Sequence, residues 1–340
     1  MNYNHLSKEI LEICDDFLEI PSVILYEKPF FDYLERKISL LGYNTERCGN
    51  EYLVVKGKNP KKIFSAHVDR HGVVRGENGT FEYAGFKFRR DMNLKFNRED
   101  MEFYQSAAQR HTREKIFSYD NISGEILDTY TTQRFNLDHK KKYVSYDLDK
   151  KPKENEIIFG FESSIKIKED KFYGQIDNAI SVAVLLYLLK TTNFQDNIIF
   201  TTKEEIGLSW KNVLDYMDKD NSNLKIITLD TTPYENFNNK EKGFLVLRKG
   251  DENGKFDLQI VEELEKILTE NKIPIEYKNS AIGMTELGRI SSESKGKYNG
   301  ATLQIPTLNY HTTYETGTIE SLQNYYLAIK LLSENKLNNL

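Results

Sequence analysis

Cysteine is nearly absent, with Cys14 and Cys48 the only two in 340 residues. Neither lies in a CxxC or Cys/His spacing, which excludes a disulfide framework and a cysteine-ligated metal site. Two isolated thiols fit a reducing compartment, where they would be buried and inert. No apolar run approaches the roughly 20 residues that a membrane helix needs. The start of the chain, Met1 to Leu6, has neither a basic stretch nor an apolar one of the kind a secretion signal uses. A basic field is lacking too: 47 Lys and Arg stand against 52 Asp and Glu, a formal net charge of -5, so nucleic acid is not an expected partner. There is no internal repeat and no low-complexity tract. The expected setting is the cytoplasm, away from membranes.

What is present is the material of a large core. Hydrophobic residues make up 39% and charged residues 29%, a globular balance over a length that suits one large domain or two ordinary ones. Ser7–Leu18 carries Ile10, Leu11, Cys14, Phe17 and Leu18 at helical spacing behind a Ser7 cap, and a second helix is expected over Pro29–Leu41 with Gly42 ending it. Tyr43–Cys48, Tyr52–Lys56 and Ile63–Ala66 read as short strands. The stretch from Val73 to Ile167 differs in character. It has strand-like pieces such as Thr80–Phe88, a charged helix near Glu99–Lys115, and polar segments at Lys140-Lys141-Lys142 and Lys150–Glu156. A structureless excursion of this length is unusual in a compact domain, so residues 73–167 are expected to form an inserted, mainly β subdomain within a domain made of 1–72 and 168–340.

After the insert, strands and helices alternate. Helices are expected at Asn178–Lys190, Trp210–Met217, Phe256–Glu270 and Ile319–Ser333, and strands at Asn197–Thr201, Leu224–Leu229, Gly243–Val246 and Ala301–Pro306. This alternation predicts an α/β fold with a mixed, mostly parallel sheet flanked by helices. In such sheets functional groups gather where strands end. The ends here carry His67-Val68-Asp69, Glu204-Glu205 and Asp230, the apolar helix opens on Asp177, and His311 follows the last strand. Imidazole and carboxylate suit zinc, and carboxylate-rich sites also accept cobalt or manganese. A pair of ions needs a bridging ligand; a carboxylate can span two ions and an imidazole cannot, and among the carboxylates Asp177 is the natural bridge.

Taken singly, each of these residues has a plainer reading. His67 could be a core histidine, Asp177 a helix N-cap, Glu204-Glu205 a solvated turn, Asp230 a turn residue and His311 a loop residue. His5, His71, His111 and His139 show that most histidines here need no role, and His71 is a decoy so close to His67. The five together, at successive strand ends, favour a common site.

The strings Ser65-Ala66-His67-Val68-Asp69, Ile176-Asp177-Asn178, Thr202-Lys203-Glu204-Glu205-Ile206-Gly207-Leu208 and Ile305-Pro306 followed by Tyr310-His311 resemble the co-catalytic di-zinc exopeptidases, and within them the glutamyl-aminopeptidase and tetrahedral (TET) aminopeptidase family. The insertion between His67 and Asp177 is similar to that of the tetrahedral type, and implies a homo-oligomer assembled through the inserted subdomain. The resemblance implies two divalent metal ions, zinc first, with His67 and Asp230 on one, Glu205 and His311 on the other, and Asp177 between them. It implies Glu204 as the general base toward a water held between the ions, and Asp69 as the carboxylate that orients His67. The implied activity is removal of N-terminal residues from peptides; Glu286 stands where relatives carry a Thr-Asp pair and would help anchor the substrate amine, or simply begin a helix. Three positions depart from the pattern: Arg70 replaces an acid, Trp210 a small residue, and Asn309–Thr313 lacks the usual Arg-Tyr-x-His-Ser form. The alternatives are a deacylase, amidohydrolase or carboxypeptidase of the same clan, or an inactive scaffold of this fold.

Overall fold

The computed structural model describes residues 3–94, 98–138, 143–220, 223–280 and 283–334. His139 and Lys140-Lys141-Lys142 lie outside the described residues. An eight-stranded sheet forms the centre, in the order Asn44–Cys48, Tyr52–Lys56, Asn197–Thr201, Lys62–His67, Lys225–Pro233, Gly300–Thr307, Leu245–Leu247, Ile275–Tyr277. The four strands from Asn197–Thr201 to Gly300–Thr307 run parallel; the Tyr52–Lys56 and Leu245–Leu247 strands flank them antiparallel. The sheet is mixed and mostly parallel, as the alternation of elements predicts.

Three of the parallel strands are buried along their whole length and the Lys225–Pro233 strand is buried except at Lys225, Asp230 and Pro233, because helices cover both faces. Ala179–Thr191 is apolar on every side and buried from Ala179 to Leu189, so it serves as a central helix. Tyr3–Glu19 packs on it and Ile319–Glu334 packs on both. The Ile198-Ile199-Phe200 run lies between Val55-Val54-Leu53 on one side and Phe64-Ser65-Ala66 on the other, which brings Thr201 level with His67.

Six strands make a closed, wholly antiparallel barrel: Gly72–Arg75, Phe81–Tyr83, Tyr143–Leu148, Ile126–Asp138, Lys115–Tyr119 and Ile158–Phe161, the last pairing back onto the first. It has its own core of Val73, Tyr83, Phe86, Ile116, Tyr130, Val144, Tyr146, Phe159 and Phe161. A second apolar cluster, with Val23, Ile24, Phe88, Phe117, Tyr119 and Ile206, joins it to the sheet domain. Closure requires Gly72, where a Cβ would lie 2.6 Å from the Val23 side chain and 2.7 Å from the Phe159 carbonyl.

Several boundaries differ from those expected. Thr80–Phe88 is a strand only over Phe81–Tyr83, after which Ala84–Asp91 is helical. The charged helix covers Arg98–Arg110, and Lys115 begins a strand. Between Asp230 and His311 the chain also forms the Ile275–Tyr277 strand and the Glu286–Glu293 helix, in addition to the expected strand–helix unit.

Candidate metal centre

At the carboxyl ends of the parallel strands the ligand-type side chains converge in two groups. His67, Asp177 and Asp230 form one and His71, Glu205 and His311 the other, with the donor atoms of each group within 4.8 Å of one another. Asp177 faces both. Its Oδ1 is 3.2 Å from His67 Nε2 and its Oδ2 is 3.4 Å from His311 Nε2. Asp230 Oδ1 lies 3.6 Å from His67 Nε2, and Glu205 Oε2 lies 3.5 Å from His311 Nε2. Glu204 is half-buried at the rim, its Oε2 3.9 Å from His67 Nε2. All five residues of the expected ligand set and the expected base thus share one site.

Local structure excludes some plainer readings. Asp177 does not cap the helix, which begins at Ala179; Asn178 is the N-cap position and makes no side-chain cap bond. Asn178 instead donates its Nδ2 to the Leu229 carbonyl at 2.8 Å, tying the Asp177 segment to the strand that carries Asp230. Glu204 and Glu205 sit in a single 3-10 turn framed by Lys203 and Gly207, both left-handed at φ 69° and 73°. His311 is left-handed too, at φ 55°, a conformation that costs a non-glycine residue stability and needs support from its surroundings.

Two buried carboxylates hold the backbone of the segments that carry these residues, and one of them, Glu315, supports His311. Asp69 accepts the backbone N–H of Glu204 and of Glu205, each at 3.1 Å. Its Oδ1 is 3.6 Å from His67 Nδ1, while that nitrogen is closer, at 3.2 Å, to the Asp69 backbone carbonyl. Glu315 accepts the N–H of His311 at 2.7 Å and of Asp177 at 2.9 Å. Glu315 comes from the short antiparallel sheet of Lys166–Lys168, Lys171–Gly174 and Glu315–Thr318. Nothing in the sequence reading marks it; its spacing of four residues from His311 is the only available signal. Glu286 begins the Glu286–Glu293 helix, and its carboxylate accepts from Ser65 Oγ at 2.5 Å and Thr201 Oγ1 at 3.2 Å. It lines a small cavity with His67, Glu204 and Asp230.

His71, passed over as a decoy, stands inside the site, with its Nε2 2.9 Å from Glu205 Oε2. The signal for it lies in the extended chain leaving the strand. Successive side chains of such a chain alternate in direction, so His67, Asp69 and His71 face one way and Val68 and Arg70 the other. Arg70 accordingly turns from the carboxylates. Its Nη2 donates to the Phe17 and Ile20 carbonyls at the end of the Tyr3–Glu19 helix. Burial lowers the guanidinium pKa to about 10. Trp210 donates Nε1 to the Gly207 carbonyl at 3.2 Å and packs against the main core.

The electrostatics call for a cation. Burial raises Glu204 well above the carboxylate range, and Asp230, Glu205 and Asp177 add to the effect. Burial and the Asp177 charge push Glu205 up to about 8, and the same two causes raise Asp230. Burial also works against ionised Asp177, but His311 and His67 more than offset it and hold that carboxyl low. Burial lowers His71 to about 4, so its imidazole is neutral at neutral pH, the form that ligates. A cluster of mutually repelling carboxylates interleaved with imidazoles is relieved by divalent cations between them, and the donor set matches zinc, cobalt or manganese. The residues present fit such a pair of ions.

Comparison with known proteins places the family and the fold. A family model described as M42 glutamyl aminopeptidase matches residues 157–327. No curated protein matches the sequence. Among solved structures, a TET aminopeptidase from a marine-sediment Thaumarchaeota archaeon superposes with a TM-score of 0.75 at 12% identity, over 96% of this chain and 98% of that one. An aminopeptidase from the archaeon Desulfurococcus kamchatkensis gives 0.74 at 14% identity, covering 97% and 95%. The TET1 peptidase of Pyrococcus horikoshii, described as assembling into a tetrahedron or a large octahedral shell, gives 0.72 at 16% identity, covering 95% and 99%. At these identities the likeness concerns the fold.

Proposed function

The chain belongs to the M42 glutamyl aminopeptidase family and is a metal-dependent peptidase; from that premise we propose that it removes N-terminal residues from peptides at a centre of two divalent ions, zinc first among them. The observation that carries this reading is Asp177, one carboxylate presenting a different oxygen to each of two ligand groups. His67 and Asp230 would hold one ion, and Glu205 and His311 the other. Ions bound there would acidify water and polarise the scissile carbonyl.

The protein's own groups supply the rest. Glu204 stands at the open rim, close to the His67 group and not within it. There it takes the proton of the attacking water and returns it to the leaving amine. Asp69 fixes the turn through both of its amides, so the base and the ligand Glu205 move as one unit. Glu286, on the wall of the adjoining cavity, offers a carboxylate toward the substrate's free amine.

Glu204→Gln tests the scheme. Glutamine keeps the size and loses the base, so turnover falls about 100- to 10,000-fold while fold and metal content stay intact. Metal-replete Glu204→Gln protein with near wild-type turnover would remove Glu204 from the mechanism.

Self-association through the barrel is part of the same proposal. Ile122, Ile126 and Leu127 stand exposed on it, which supports a contact surface there. The Pyrococcus horikoshii TET1 relative, also described as a dodecamer, supports an assembly of several copies.

A further inference from the structure

The family resemblance implies a two-residue ligand set, Glu205 and His311, for the ion on that side. The structure brings a third side chain to it, and we infer that His71 ligates this ion through Nε2, giving it two imidazoles and a carboxylate where the ion on the other side has one imidazole. This rests on the di-metal reading above.

Four observations carry the inference. His71, Glu205 and His311 each bring a donor atom within 4.8 Å of the other two, a span that one ion between them can bridge. His71 Nε2 and Glu205 Oε2 stand 2.9 Å apart, so a shift of about half an ångström opens them to the roughly 3.4 Å of two donors on a tetrahedral ion with bond lengths of about 2.1 Å. The two atoms approach without the alignment of a hydrogen bond, since His71 Nε2 has no hydrogen-bond partner in the structure, and neither has Nδ1. A buried histidine held only for packing makes at least one hydrogen bond in most proteins, and this side chain is only 3% exposed. Finally, its ring is held edge-on to His311, with centroids 4.3 Å apart, and tilted against Tyr83 at 5.2 Å, so its direction is set by packing before any ion arrives.

The consequence is an asymmetric centre. With Asp177 Oδ2 beside His311, the His71 side offers four protein donors, enough to close a tetrahedral zinc shell. The His67 side offers His67, Asp230 and Asp177, three donors and an open position, which is the pattern of a catalytic zinc. Glu204 stands on that open side. An ion on the His71 side would therefore be held by more protein donors, and more tightly, than one on the His67 side.

Cobalt substitution reads this directly. The full-length protein is stripped with chelator, loaded with cobalt(II), and its paramagnetically shifted, solvent-exchangeable imidazole N–H protons are counted by NMR, alongside calorimetric titration of the metal. Wild type is expected to bind two ions with clearly different affinities and to show three such protons, from His67, His71 and His311. His71→Phe, which keeps a ring of similar shape, is expected to show two, with the tighter affinity weakened at least about 10-fold. His71→Gln, which returns a neutral donor, is expected to recover part of that affinity. Two shifted protons in wild type would overturn the inference without recourse to any variant. So would two unchanged affinities in His71→Phe. Wild-type protein that binds no cobalt would overturn the di-metal reading itself, and the inference with it.

Discussion

Residue by residue, most side chains of this centre are ordinary until their neighbours are counted. Arg70 shows how far one position can mislead. A cation beside His67 and Asp69 threatens a metal site on paper, yet its side chain leaves on the opposite face of the extended chain and caps the Tyr3–Glu19 helix. Its charge belongs to the helix end, where cations and donors satisfy the last carbonyls. Arg70→Met leaves the Ile20 carbonyl without that donor and is expected to lower unfolding free energy by about 1–3 kcal/mol in a urea titration, with metal content unchanged. Metal loss at unaltered stability would return Arg70 to the site. Asp69 and Glu315 are a matched pair at the same scale: each is buried, and each accepts two backbone amides from segments that carry ligands.

At the scale of elements, sequence and structure agree where burial is complete. Asn197–Thr201 is a strand at the expected residues because an apolar run set between polar neighbours and buried on both faces has one solution. The Ala179–Thr191 helix is as plain, being apolar on every side. The barrel was less legible. Phe81, Tyr83, Phe86 and Phe88 fit either period over so short a run. Tertiary packing decides it, since a helix after Tyr83 sends Phe86 into the barrel core and Phe88 toward Ile206 and Val23. The Glu286–Glu293 helix spans only eight residues, and its cap comes from Thr285, which accepts the Gly288 amide. For the site, the ligand strings are local and could be read; the Glu315 clamp and the direction of the His71 ring depend on pairings between distant segments. Glu315 is set opposite Gly174 by strand register that no single stretch encodes.

The whole molecule joins two bodies with separate cores, and the site lies where they meet. His71 is the last residue before the barrel's first strand, and Gly72 carries the chain across. Among the described residues no helix is long and apolar enough to cross a membrane. If the exposed apolar residues of the barrel form a contact between copies, light scattering at micromolar concentration gives a mass several times that of one 340-residue chain. A single-chain mass would refute self-association. The central claim is that a metal centre cleaves next to a free amine. The most direct test compares an aminoacyl anilide with its N-acetylated form, before chelation, after it, and after divalent ions are restored. The account predicts turnover of the free-amine compound only, lost with the metal and recovered with it; equal turnover of the acetylated compound, or full turnover in metal-stripped protein, would contradict it.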